Sequence, residues 1–261
     1  MAPPPVPVAA LASALVAAAG WRAGALTAAG AVAASAVGLA IVVGAGWSGG
    51  AILLAFFTLT SAVSRRAARR RAPALDTRGE RRDHWQVLAN GGFPALGALA
   101  AAGSPAVIWL VTGGLATAAA DTWATSWGAS SATLPRHVLS GRVVPTGTSG
   151  GITARGTTGA LAGALVTAAA GVPWSGWPVL LGGTIVGLAG MFLDSLLGAA
   201  VQGRFHCTAC DEPCEWPRHR CGARSRHVGG WRWLDNDGVN ALATAAGTGA
   251  GWFAYRLLSG A

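Results

Sequence analysis

The sequence contains no lysine: all 19 basic residues among its 261 positions are arginine. Without lysine there is no Gly-Lys-Ser/Thr phosphate loop, so nucleotide chemistry of the P-loop type is excluded. Charge of either sign is scarce, 11% in all, and only 10 residues are acidic. So little charge does not clothe the surface of a soluble chain this long. Cysteine is confined to one stretch, with Cys207, Cys210, Cys214 and Cys221 as its only copies. No Ser/His/Asp or Cys/His nucleophile arrangement stands out, and no internal repeat is convincing.

What fills the chain instead is apolar. Hydrophobic residues make up 52% and glycine occupies 39 positions. Apolar runs at about 5–20, 23–44, 47–63, 86–103, 105–120, 157–172, 178–200 and 238–258 approach the roughly 20 residues that cross a hydrocarbon layer. The expected fold is all-α, a polytopic transmembrane helical bundle of about eight spans. The first run is short and has no basic leader, so it reads as a span and not as a cleavable signal peptide. The spacing divides the chain into a three-helix membrane part (1–63), an Arg-rich linker (64–84) and a five-helix membrane part (85–261). The last includes a Cys-rich loop at 203–232. Gly159/Gly163, Gly183/Gly187 and Gly247/Gly251 are small-residue pairs that let helices approach closely.

Arginine sets the orientation. Eight arginines lie from Arg65 to Arg82, three are Arg136, Arg142 and Arg155, and six run from Arg204 to Arg232. With these spans all three loops and Arg22 share one face, which the positive-inside rule makes cytoplasmic, with both termini outside. Trp21, Trp47, Trp85, Trp174 and Trp177 fall at span ends, as interfacial tryptophans do. The pI of about 11.3 therefore reports topology and attraction to anionic headgroups of the bilayer. It does not point to nucleic acid.

The acids gather near the same face. Asp76, Glu80, Asp83, Asp211, Glu212 and Glu215 read as solvated loop residues. Asp121 closes the fifth span and Asp194 lies inside the seventh, where a charge is costly unless paired or wetted. Asp235 and Asp237 open the eighth, where helix capping and dipole complementation would account for either alone. Asn90, Asn236 and Asn240 lie at similar depth. Several carboxylate and amide oxygens at one level suit Mg²⁺, completed by water and substrate phosphates.

Next to them stands a glycine-rich turn, Gly147-Thr148-Ser149-Gly150-Gly151, with Arg142 before it and Arg155 after it. Freed backbone N–H groups at a helix N-terminus form an anion nest, although a plain interhelical turn has the same composition. Cys207, Cys210, His219 and Cys221 make a tetrahedral Cys3His set for structural zinc, with Cys214 as a possible substitute ligand and free thiols as the alternative.

Five segments in order, Gln86–Gly92 (QVLANGG), Ala120–Ala124 (ADTWA), Val144–Gly151 (VPTGTSGG), Leu193–Gly198 (LDSLLG) and Leu234–Asn240 (LDNDGVN), resemble the family containing plant phytyl-phosphate kinase and animal transmembrane protein 19. The resemblance covers about residues 5–257. It extends more distantly to the group of dolichol kinase and phosphatidate cytidylyltransferase. It implies a membrane-embedded kinase converting an isoprenyl monophosphate, phytyl or geranylgeranyl in kind, to the diphosphate with CTP or another NTP and Mg²⁺. Asp121, Asp194, Asp235, Asn90, Asn236 and Asn240 match its polar positions, the three acids as Mg²⁺ ligands. Gly147 to Gly151 match its phosphate loop, with Arg142 and Arg155 on the nucleotide phosphates. Ser126 stands where many relatives have Glu, Arg142 where they often have Lys, and some carry Asn at Asp237. A cytidylyltransferase acting on a lipid phosphate and a membrane transporter are the alternatives. The expected location is the cell's inner (plasma) membrane with a cytoplasmic active face.

Overall fold

The computed structural model describes residues 4–69, 81–219 and 221–259. Most of the Arg-rich linker, with Asp76 and Glu80, lies outside them. Long helices dominate: α1 (Val6–Arg22), α2 (Ala28–Ala68), α3 (His84–Ala100), α4 (Val107–Gly128), α5 (Ala154–Ala169), α7 (Trp177–Ala200) and α8 (Asn236–Leu258), with a single turn, α6 (Val172–Ser175), before α7. α2 is broken at Gly46, whose φ of 66° and ψ of −165° leave helical space for a region that glycine enters without strain. Its two arms take the place of the second and third expected spans. Among the described helices, α2 and α7 are by themselves long and apolar enough to cross a membrane. α1 is apolar as well but has only 17 residues.

Where α4, α5 and α7 meet, small residues make the contacts and large ones face outward, while Ile41, Ile52 and Leu115 fill the core beside α2. Ala116, Ala119, Ala120, Ala160 and Ala164 are fully buried, while Val32, Leu96 and Ile185 are exposed. A soluble core would reverse this order; helices that pack in lipid use small residues at their contacts. The three small-residue pairs do pack. A methyl at Gly163 would meet the Ala119 carbonyl at 2.7 Å, one at Gly187 would meet Ala164 and Ala116, and one at Gly247 would collide with Thr117.

One end of the bundle gathers the long loops. Arg82, just before α3, exchanges backbone hydrogen bonds with Ala25 and Thr27, just before α2. The end of α4 touches the start of α5 at Gly128 and Gly156, and Gly203 after α7 bonds Leu234 before α8. Capping follows the same polarity. α2, α3, α5 and α8 start at this end, and Thr27, Asp83, Thr153 and Asp235 each cap them through a side-chain oxygen. α1, α4 and α7 start at the other end without a side-chain cap. Polar caps satisfy exposed helical N–H groups, so the loop end is the polar one.

The loops are not purely irregular, as an all-α fold implies. β1 (Arg136–His137) pairs antiparallel with β2 (Gly151–Ile152). The Cys-rich loop folds as a three-stranded antiparallel sheet in the order β4-β3-β5, from β3 (Arg204–Cys207), β4 (Glu212–Cys214) and β5 (Ser225–Gly229). These strands are too short to show the two-residue alternation that marks a strand in sequence.

Candidate functional site

α4, α7 and α8 meet closely at Thr117, against which neither Gly190 nor Gly247 has room for a methyl. One helical turn toward the loop end, α4 carries Asp121 and α7 carries Asp194. The two carboxylates lie close enough for the charge of Asp121 to bear on Asp194. Asp194 is buried, and its Oδ2 has no hydrogen-bond partner among the described residues. Asp121 is half-buried. Over the same turn α8 passes from Gly247 to Thr244, and a further turn reaches Asn240, which is buried.

α3 completes the group. The Thr244 hydroxyl donates to the Ala89 carbonyl at 2.7 Å, setting Asn90 at this level. Asn90 Nδ2 donates to Gln86 O at 2.8 Å, and Asn240 Nδ2 donates to Asn236 O at 2.9 Å. Each amide nitrogen is thus held by its own helix. Each Oδ1, an acceptor with two lone pairs, has no partner among the described residues.

Asp235 stands apart. It caps α8 by accepting from Gly238 N at 3.0 Å, about 7–8 Å along the axis from Asn240 at 1.5 Å per residue. Asn236 opens the helix, and Asp237 lies in its first turn, where a negative charge complements the dipole. The capping explanation is realised for Asp235, at the rim of the group.

The glycine turn rests on α7 directly beyond Asp194. A methyl at Gly150 would collide with Ala199 and lie 2.9 Å from the Ser195 carbonyl; φ is 76° there and 91° at Gly147. Only glycine allows both that approach and that backbone. Thr148 N and Oγ1 both bond Pro145 O, and Gly151 N bonds Thr148 O. The N–H groups of Ser149 and Gly150 have no acceptor among the described residues. Arg142 and Arg155 are exposed on either side, Arg155 in the first turn of α5. Ser126 is buried on α4.

The cysteine sheet holds the second cluster. One ligand atom from each of Cys207, Cys210, His219 and Cys221 lies within 4.8 Å of the others, so the four could hold a metal ion. Cys207 and Cys221 sulfurs are 3.6 Å apart, and His219 Nδ1 is 3.3 Å from Cys221 Sγ. Tetrahedral Zn–S bonds of about 2.3 Å separate two sulfurs by about 3.8 Å, so the set fits zinc. The bond with His219 holds the Cys221 thiol down to about 6, whereas hydrogen bonding with Cys221 pushes Cys210 up to about 12. Cys214 is not a substitute ligand; it bonds Ser225 Oγ at 3.1 Å.

Comparison with known proteins agrees with the helix packing. The chain matches the family described as integral membrane protein DUF92 over residues 11–248. It belongs to that family. Protein PGR of Arabidopsis thaliana is 30% identical over 151 residues, 53% of this chain and 51% of that protein. The DUF92 chain thus spans about half the length of this curated relative. No solved structure matches it.

Two features of this DUF92 protein escape its sequence. Glu212 Oε2 lies 3.9 Å from His219 Nε2, the arrangement by which a carboxylate orients a metal-binding histidine. Arg82 is not simply part of a solvated linker: its guanidinium turns back over the Phe56 ring at 5.9 Å. The capping box of Asp83 and Gln86 that follows it is readable as Asp-x-x-Gln before an apolar run, and it marks where the linker ends.

Proposed function

We propose that this protein is a membrane-embedded kinase that transfers a phosphoryl group from CTP or another nucleoside triphosphate to an isoprenyl monophosphate of the phytyl or geranylgeranyl kind. The observation that carries the reading is the Asp194 carboxylate, with one oxygen buried and unpartnered beside Asp121 and one turn from the glycine loop. An unsatisfied buried acceptor of this sort costs at least about 1–3 kcal/mol, which a bound cation offsets. Membership of an integral membrane family fits an acceptor whose chain stays in the bilayer.

Asp121 and Asp194, with the amide oxygens of Asn90 and Asn240 and with Asp235 and Asn236 at the rim, form an oxygen donor set suited to Mg²⁺. Bound there, Mg²⁺ supplies charge neutralisation for the transferring phosphoryl group. The Ser149 and Gly150 N–H groups, flanked by Arg142 and Arg155, hold the nucleotide phosphates in line with the acceptor. The acceptor phosphate is already an anion and needs no strong base. Its oxygen bonds to the γ-phosphorus as the bond to the bridging oxygen breaks, and the nucleoside diphosphate leaves with that oxygen.

In this reading α1, both arms of α2, α3, α4, α5, α7 and α8 make eight crossings of the cell's inner membrane. The loop end is cytoplasmic and both termini are outside. Zinc in the Cys3His set ties the cytoplasmic sheet together. Purified protein incubated with prenyl monophosphates and each nucleoside triphosphate tests the activity: prenyl diphosphate and a nucleoside diphosphate are expected. Release of pyrophosphate with a CDP-linked lipid would identify a cytidylyltransferase and overturn the kinase reading.

A further inference from the structure

A cavity of about 330 Å³ lies between α1, the two arms of α2 and the start of α3. Its walls are almost wholly apolar, running from Trp47 beside the α2 break to Phe57 nearer the loop end. Along that arm the distance is about 15 Å at 1.5 Å per residue, half of the ~30 Å hydrocarbon layer. Among the described residues Ser13 is the one hydroxyl on the wall, and its oxygen is buried without a partner from them.

Other polar groups gather at the loop end, where Arg82, Gln86 and Asn90 line the cavity. Arg82 is fixed by its backbone bonds to Ala25 and Thr27, each 3.0 Å. Burial lowers its guanidinium to about 10, and among the described residues no carboxylate pairs with it. A half-buried cation that no carboxylate of the described residues pairs, at the mouth of an apolar cavity, is complementary to an anionic head on an apolar chain. Asn90 joins this mouth to the Asp121–Asp194 group, because the neighbouring Ala89 carbonyl receives Thr244 of α8.

We infer that this cavity seats the prenyl chain of the acceptor, that Arg82 binds the acceptor's phosphate, and that cavity depth sets the chain length accepted. The inference rests on the kinase reading for its ligand. One cavity beneath one cation suits a single chain on a phosphate monoester; a diacyl phospholipid has two chains to place.

The test is photo-crosslinking of the full-length, detergent-purified protein with a prenyl monophosphate bearing a diazirine at its tail, and mapping of the labelled peptides. Labelling is expected on α1 and α2 around Ser13 and Trp47, undiminished by excess phosphatidate. Arg82→Gln should weaken probe binding about tenfold or more through the lost charge-assisted contact. In turnover, Ser13→Leu should cut kcat/KM for a four-isoprene monophosphate about tenfold relative to a two-isoprene one. Trp47→Ala, which only removes bulk, should shift preference toward longer chains. Label on other helices, full protection by phosphatidate, or variants that scale all chain lengths equally would overturn the inference. Label in the cavity without phosphoryl transfer to any prenyl monophosphate would keep the cavity assignment and sink the kinase. Phosphoryl transfer with label elsewhere would do the reverse.

Discussion

Thr244 on α8 donates its hydroxyl to the backbone carbonyl of Ala89 on α3 at 2.7 Å. The bond joins residues 155 positions apart and fixes the relative depth of Asn90 and Asn240. Thr244→Val keeps the shape and removes the hydrogen bond. Between membrane helices such bonds average about 0.6 kcal/mol, so the loss in detergent unfolding should be of that order. Phosphoryl transfer should fall further than stability does. Unchanged turnover alongside reduced stability would mean that the two asparagines need no mutual positioning.

Helix contact at Thr117 gives a sharper packing test. Gly247→Ala forces a methyl onto Thr117, whereas at Gly249 a methyl meets nothing within 4 Å. Overpacking costs about 1–3 kcal/mol, so Gly247→Ala should unfold at a clearly lower temperature. Gly249→Ala should match the native protein or exceed it by up to about 1 kcal/mol, the helix-propensity gain. Equal behaviour of the two variants would show that α4 and α8 are not in contact at this level.

Metal content tests the cysteine sheet. Protein purified under reducing conditions without chelator should carry about one zinc per chain, bound by four ligands. Cys207→Ser with Cys210→Ser should lose it, and Cys214→Ser should keep it, because Cys214 is engaged with Ser225. Zinc retained by the double variant, or lost with Cys214→Ser, would contradict the ligand assignment.

The gathering of arginine-bearing loops at one end of the bundle predicts the topology. A reporter inserted after Arg226 should read cytoplasmic, and one fused after Ala261 should read external. Both in one compartment would break the eight-crossing arrangement.

Much of this is legible in the sequence. Apolar runs placed most of the helices within a few residues, and even the α2 break fell between two expected spans, because Gly46 interrupts a run long enough for both. The fifth run stops at 120, whereas α4 continues to Gly128, so Asp121 does not close its helix but lies about two turns inside it. The polar Asp-Thr-Trp-Ala-Thr-Ser stretch ends the apolar run without ending the helix. The Cys207, Cys210, His219, Cys221 set was legible because ligand spacing is local. Asp121 and Asp194 are 73 positions apart and were linked only by depth; their meeting depends on Gly190 letting α7 close onto Thr117. The Arg82 cavity was not legible. It depends on a cation folding back against helices distant in sequence, and charge patterning shows only an arginine in a basic run. The short strands were missed for want of length.

The central claim is that Asp121 and Asp194 hold the metal-dependent site of a kinase. Asp→Asn is nearly isosteric, so each variant should insert and purify as the native protein does. The most direct measurement is the rate of phosphoryl transfer to a prenyl monophosphate by Asp121→Asn and Asp194→Asn with Mg²⁺ present. Loss of such an electrostatic contact typically slows turnover about 100-fold or more. We expect both variants to show that loss, with Asp235→Asn milder, because Asn still caps α8, and Asp237→Asn milder too. Near-native rates for Asp121→Asn and Asp194→Asn would make the carboxylates structural and contradict the metal site.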